Sequence, residues 1–195
     1  MRDLAASRRA LAEAERAMDQ EIARSMWLAK AADYAVNDAA VLVGGAAVNL
    51  HTGSYRPTDI DLCAYLDPED REAMSEVGFH NTQGDHFSYT FADGETWLLK
   101  STDTQVDGDV AIVVLGEQDS LTVISRDSVV VDRLIQASDN TKITFDDAVR
   151  LGVALGDTID WARVEAEIEV RHSLEPGLGL PRVLRRVRQA VDSSL

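Results

Sequence analysis

Two aspartates spaced two residues apart are the part of this sequence best suited to chemistry. Asp59 and Asp61 alternate with Ile60 and Leu62, a pattern typical of a β-strand with one buried face. Because side chains two residues apart point to the same side of a strand, both carboxylates are expected on one face and the apolar pair in the core. Mg²⁺ prefers oxygen ligands and bridges them to substrate phosphates, so the sequence predicts a site for a metal-bound triphosphate.

Thirteen residues separate a glycine pair from these aspartates. The apolar run 40–43 predicts a short buried strand, Gly44 and Gly45 interrupt it, and residues 46–50 restart as a helix. Glycine permits a tight turn and lets a ligand approach the main chain, and the unpaired amides of a helix start bind anions. Either motif alone is more often structural, but their combined order and spacing indicate a functional site.

The elements around these motifs change from mixed to helical along the chain. Residues 3–37 contain neither Gly nor Pro, which predicts one N-terminal helix. Asp67 and Pro68 predict the start of another helix, and Asp157 or Thr158 is expected to cap a later one. We therefore expect an α/β fold followed by a helical third. Its strands are expected over 40–43, 59–65, 86–91, 96–100, 110–115 and 121–124, and its late helices over 126–137, 144–155, 159–172 and 181–193.

The charge is strongly negative and unevenly distributed. Thirty-four acidic residues against nineteen Lys and Arg give −15, which excludes a generally basic protein that coats nucleic acid. Residues 58–119 hold fifteen acidic and two basic residues, a net −13, whereas residues 171–195 carry a net +3. The acidic segment 58–119 repels phosphates unless divalent cations bind between the two groups of negative charges. Four arginines near the end are interpreted either as a phosphate-contacting strip for RNA or as the solvated face of a helix: Arg182, Arg185, Arg186 and Arg188.

The composition narrows the class of protein further. A chain of 195 residues with 45% hydrophobic content is expected to form one domain, with a small appendage at most, around a sizeable core. No apolar run approaches the roughly 20 residues of a membrane span, and the first residues lack the apolar core of a signal peptide. A soluble, cytoplasmic protein is therefore expected. Cys63 is the one cysteine, so neither an internal disulfide nor a cysteine zinc cluster is expected.

The glycine and aspartate motifs together resemble the signature of the DNA polymerase β-type nucleotidyltransferase superfamily, in which a hydrophobic residue and two small residues precede an Asp-hydrophobic-Asp strand. The stretch from Gly44 through Arg56 and Thr58 to Leu62 is also similar to the AbiEii and MenT-type toxins and to small bacterial relatives. Weaker similarity continues over 123–134 and 145–151. The resemblance implies a mixed-sheet nucleotidyltransferase domain, which we assign to 40–125. The sequence pattern adds a helical segment over 1–39 before it and a helical region over 126–195 after it.

The activity implied by this resemblance is a Mg²⁺-dependent transfer of a nucleoside monophosphate from an NTP to a hydroxyl acceptor. Asp59 and Asp61 would hold the metal and act in catalysis, and Gly44 and Gly45 would hold the triphosphate. Further contacts to the phosphates are implied for Arg56, Thr58, Arg133 and Lys142, with Arg133 at the place of a lysine in the toxins. The implied partners are a tRNA acceptor, as for MenT-type relatives, and an antitoxin protein.

One expected carboxylate is absent from its place in this sequence. Active members of the superfamily carry a third carboxylate in the return strand of the hairpin, where the best alignment puts Leu98. Glu95, just before that strand, is the remaining candidate for the general base, and Asp109 is a second one. Without a third carboxylate, activation of the acceptor hydroxyl is weakened.

Two other functions therefore stay open at this point. The first is a catalytically silent domain of the same fold that acts as a binding partner, which Leu98 and the negative charge favour. The second is an enzyme that modifies a small cationic molecule such as an aminoglycoside, which suits the acidic surface. The sequence leaves the acceptor, the preferred base and the oligomeric state open.

Overall fold

The computed structural model describes residues 2–37, 40–54, 57, 59–103, 106, 108–139 and 141–194. The chain divides into two compact units, Met1–Ile124 and Ser125–Leu195. Among the described residues, no helix combines the length and the apolar character needed to cross a membrane.

The first unit is built on a mixed seven-stranded sheet. Its helices are α1 (Leu4–Arg16), α2 (Glu21–Ala35), α3 (Gly44–Thr52) and α4 (Pro68–Val77). Its strands are β1 (Val41–Val43), β2 (Asp59–Cys63), β3 (His80–Gln83), β4 (His86–Thr90), β5 (Thr96–Asp103), β6 (Val110–Val114) and β7 (Ser120–Ile124). The strand order is β3-β4-β5-β2-β1-β7-β6. The β1–β7 and β2–β5 pairs are parallel and the other neighbours antiparallel, so the predicted α/β class with a mixed sheet is confirmed.

Alternation along the central strands gives the sheet one buried and one partly open face. Ile60 of β2 and Leu99 of β5 are paired in register and buried, and helices α2 and α3 pack against β2. Asp59 and Asp61 fall on the opposite face, where both are only partly buried. The helices thus anchor β2 through its apolar residues, and the acidic residues between them stay accessible to solvent.

The N-terminal segment forms a helical hairpin, so the prediction of a single helix over 3–37 is wrong. The chain turns after Arg16 and restarts at Glu21, and the Ser7 hydroxyl donates to the Ala31 carbonyl at 2.7 Å. Small residues along both helices are fully or nearly fully buried, among them Ala6, Ala10, Ala14, Ala29 and Ala32. Folding the two small-residue faces together buries apolar surface that one straight helix would leave in water, and this gain outweighs the local helix propensity.

Local signals for turns and caps give mixed results. The predicted start of α4 is confirmed, since Asp67 accepts from the Asp70 amide and Asp70 accepts from the Asp67 amide in a capping box. The hairpin of β4 and β5 is also confirmed. Strand β3 is not predicted because its residues are polar and exposed, without apolar alternation.

The described part of the second unit contains four α-helices, as predicted. They are α5 (Arg126–Gln136), α6 (Lys142–Leu155), α7 (Trp161–Leu174) and α8 (Leu180–Asp192). The cap of α7 is Asp160, which accepts from the amides of Ala162 and Arg163 at 3.1 Å. The predicted caps Asp157 and Thr158 instead belong to a short 3₁₀ turn that follows α6.

Gly152 marks the tight contact between α6 and α8. A Cβ atom at this position would lie 2.5 Å from Cγ2 of the buried Val191. We expect Gly152→Ala to lower the free energy of unfolding by about 1–3 kcal/mol, because overpacking outweighs the gain in helix propensity. Urea denaturation followed by circular dichroism measures this. Gly177→Ala is the control, since no atom lies within 4 Å of its added Cβ; equal stability of the two variants would contradict the expectation.

Candidate nucleotide-binding site

The turn from β1 into α3 lies directly against the aspartate strand. Val43, the last residue of β1, is paired with Asp61 of β2, and α3 begins at the next residue, Gly44. Gly44 has a φ of 63°, a conformation that L side chains rarely adopt. A Cβ atom added there would lie 2.2 Å from Oδ2 of Asp61. The structure therefore brings the glycine turn and the Asp61 carboxylate into direct contact, and only glycine leaves room for both.

The register between β2 and β5 decides which residues stand beside the aspartates. Asp59 is paired with Leu98, and Asp61 is paired with Lys100. Because strand residues in register share a face, all four side chains lie on the partly open side of the sheet. Leu98 is 42% exposed, so an apolar side chain stands in solvent next to Asp59. The return strand therefore offers a leucine and a lysine beside the aspartate pair.

Lys100 forms an ion pair with Asp59 through its Nζ atom and the Oδ2 atom of that carboxylate. This hydrogen bond, together with the negative charges of Asp59 and Asp61, raises the pKa of Lys100 above its ordinary value in spite of partial desolvation. The sequence interpretation missed Lys100 as a site residue. The period of two along β5 was the available signal, because a lysine two residues after Leu98 must share its face.

Glu95, the candidate general base, is engaged elsewhere. Nη1 of Arg24 donates to Oε2 of Glu95 at 2.5 Å, and Nη2 donates to Oδ2 of Asp93 at 2.7 Å. The Arg24 side chain is 3% exposed, and its guanidinium lies over the ring of Phe91 at 3.6 Å. Glu95 also precedes Leu98 by three residues, about 10 Å along an extended strand. The structure does not bring Glu95 to the aspartate pair.

Replacing Glu95 tests its exclusion from the chemistry. We expect Glu95→Gln to keep any nucleotidyl transfer within a few-fold of the unmodified protein, because its carboxylate serves Arg24 rather than the acceptor. The melting temperature is expected to fall slightly, since an ion pair is lost. A general base contributes about 100-fold or more to a rate, so a loss of that size would return Glu95 to the catalytic site.

Three other candidate residues belong to the first unit: Arg56, Thr58 and Asp109. Arg56 and Thr58 lie outside the described residues. Asp109, the second base candidate, precedes β6, which is three strands away from β2 in the sheet. At about 4.8 Å per strand, that separation places the start of β6 some 14 Å from β2.

Arg133 and Lys142 lie in the second unit. Arg133 is on α5 and donates from Nη1 to Oε1 of Gln136 at 2.7 Å. Lys142 is the first residue of α6 and lines a cavity of about 220 Å³ together with Thr141, Phe145 and Arg186. Arg186 lies over the Phe145 ring at 4.8 Å. The second unit thus gathers two cationic side chains around one small cavity.

The aspartate pair suits a hard divalent cation in part. Two carboxylates on one face match the one or two protein ligands that Mg²⁺ takes when phosphates and waters complete its shell. Within the described ranges, no group of three or more His, Cys, Asp or Glu residues could hold a metal ion. Asp59 and Asp61 therefore fit a cation shared with a bound nucleotide. Lys100 does not fit such a site, because its positive charge already pairs with Asp59.

The fold defines a protein with a nucleotidyltransferase-like architecture. A crystal structure of an antigenic nucleotidyltransferase-like protein from Paracoccidioides brasiliensis is similar to this chain with a TM-score of 0.55. The match covers 85% of this chain and 92% of the other, at 13% sequence identity, and at that identity it concerns the fold. No model of a known protein family matches the chain, and no curated protein is significantly similar to it.

Proposed function

We propose that this protein is a Mg²⁺-dependent nucleotidyltransferase that moves a nucleoside monophosphate from an NTP to a hydroxyl acceptor. The observation that carries the proposal is the packing of the Gly44 turn against Asp61, with Asp59 on the same face. A glycine turn at a helix start offers backbone amides to phosphates, and two carboxylates beside it offer oxygens to a cation.

Each of these residues has its own role in the proposed reaction. Asp59 and Asp61 would hold the cation, which when bound neutralises phosphate charge and stabilises the leaving pyrophosphate. Gly44 and Gly45 would position the triphosphate. The acceptor oxygen forms a bond to the α-phosphorus while the bond from that phosphorus to the pyrophosphate oxygen breaks, and the hydroxyl proton is released. Because Leu98 and Lys100 flank the aspartates, that proton has no carboxylate acceptor at those two positions of β5.

The acceptor proposed from the toxin resemblance is a tRNA, with an antitoxin as a protein partner. The support is a local group of cationic side chains in the second unit, where Arg186 and Lys142 line one cavity and the exposed arginines of α8 lie opposite its buried stripe. RNA phosphates are attracted to such cations, and this attraction weakens with salt.

A second candidate function is a silent domain that binds without catalysis. Two observations favour it: Leu98 stands in register with Asp59, and Lys100 already neutralises that carboxylate. Such a domain would keep the fold and lose transfer.

A label-transfer assay separates these functions. The protein is incubated with Mg²⁺ and each α-labelled NTP in turn, beside total tRNA, an aminoglycoside mixture or no acceptor, with an EDTA-treated sample as control. Label on RNA that requires Mg²⁺ supports the proposal and identifies the base. Label on the aminoglycosides alone replaces the RNA acceptor with a small cationic one. Absence of both transfer and nucleotide binding supports the silent domain.

A further inference from the structure

Lys100 contacts the carboxylate that would hold the metal ion in the proposed function. It is one of two basic residues among the seventeen charged residues of 58–119. The other, Arg71, is held by Asp85, with Nε donating to Oδ1 at 2.7 Å. The Lys100 ammonium contacts Asp59, and its backbone is in register with Asp61. Its side chain is 33% exposed and that of Asp59 is 22% exposed, so the pair is only partly screened by water.

A divalent cation and this ammonium cannot both use the same carboxylate oxygen. Nζ of Lys100 contacts Oδ2 of Asp59, so a cation on either oxygen of this carboxylate would lie a few ångströms from the ammonium, and the two positive charges would repel each other. Cation binding at Asp59 is therefore stronger when Lys100 moves away. The lysine side chain can do so, because its four-carbon stem is flexible and its end is accessible.

We propose that Lys100 competes with a divalent cation for Asp59, because its ammonium holds Oδ2 of that carboxylate and weakens cation binding until it is displaced. The displaced ammonium lies close to the aspartate pair and is available to the phosphates of an incoming nucleotide, a second part of the inference that rests on the proposed function. Lys100 would thus make metal binding and nucleotide binding depend on each other.

Metal affinity in the absence of nucleotide tests the competition directly. Mn²⁺ binding to the whole protein is followed by the electron paramagnetic resonance signal of free Mn²⁺, for the unmodified protein and for Lys100→Met and Lys100→Gln. Both variants are expected to bind Mn²⁺ about tenfold more tightly, since the competing ammonium is gone. Arg8→Met is the matched control. Arg8 lies in the same unit and pairs with the exposed Glu76, so its loss removes one positive charge far along the chain from the aspartates.

Nucleotide binding in the presence of Mn²⁺ tests the second part. Lys100→Met is expected to bind a non-hydrolysable NTP several-fold more weakly than the unmodified protein at saturating Mn²⁺, although its metal site is stronger. A lysine with a purely structural role would lower the melting temperature without these opposite changes. Circular dichroism of each variant shows whether the fold is kept, and the two substitutions must agree.

Every outcome bears on the inference. Equal Mn²⁺ affinity in the unmodified protein and both lysine variants overturns the competition and leaves the proposed function standing. Absence of Mn²⁺ binding in all proteins, both without nucleotide and with the non-hydrolysable NTP, overturns both. Binding that appears only in the lysine variants supports the competition and favours the silent domain. An increase shared by Arg8→Met assigns the effect to overall charge and overturns the specific role of Lys100.

Discussion

The Asp61→Asn variant is expected to lose nucleotidyl transfer by about 100-fold or more, while its melting temperature stays near that of the unmodified protein. The amide has nearly the same size as the carboxylate, but it carries no charge and donates where the metal requires an acceptor. Removal of one group that stabilises developing charge in a transition state lowers rates by about this amount. The initial rate of label transfer at fixed Mg²⁺ and NTP measures the effect.

A matched substitution separates this effect from a general change of charge. Glu117 is exposed in the turn between β6 and β7, and Glu117→Gln removes one negative charge from the same acidic unit. We expect its transfer rate to be unchanged. If Asp61→Asn transfers label as fast as Glu117→Gln, then Asp61 does not hold the metal.

The Gly44→Ala variant is expected to weaken Mn²⁺ and NTP binding by at least about tenfold, because the Asp61 carboxylate must move. The added Cβ would lie 2.2 Å from Oδ2 of Asp61, well inside van der Waals contact, and a displacement of about 1 Å in a reacting site can reduce rates about 100-fold. The backbone also contributes, since alanine at a φ of 63° costs about 1–2 kcal/mol of stability. Calorimetric titration of the metal and the nucleotide measures both affinities.

Gly53 provides the control for the stability cost of placing alanine at a positive φ. It has the same φ of 63°, at the C-terminal end of α3, and no atom lies within 4 Å of its added Cβ. Gly53→Ala is therefore expected to lose similar stability without weakening either ligand. Equal ligand affinity in the two alanine variants would show that contact between Gly44 and Asp61 is unimportant for binding.

The local features of the fold could be predicted because they depend on neighbours in the sequence. The alternation around Asp59 and Asp61 predicts that they share a face, since the period of a strand is two. The cap at Asp67 depends on four consecutive residues. The nucleotidyltransferase-like fold was also predicted, through the resemblance of the glycine and aspartate motifs to that superfamily.

The ion pairs of Lys100 and Arg24 could not be predicted from neighbours in the sequence. The ion pair of Lys100 with Asp59 spans 41 positions, and that of Arg24 with Glu95 spans 71. Such pairs depend on strand register and helix packing, and neither is encoded by local periodicity. The break after α1 has the same origin, since the residues that favour a long helix also form two small-residue faces that pack together.

By itself, the sequence determined the two aspartates on one face, the glycine turn before them and the predominance of negative charge around them. The tertiary structure decided that Lys100 stands beside the pair, next to the Leu98 that the resemblance had placed there, and that Glu95 does not. The physical reason is the register of β2 against β5, which pairs buried Ile60 with buried Leu99. A shift by one residue would turn the apolar side chains of a strand to solvent, so burial of the core also selects the residues that surround the site.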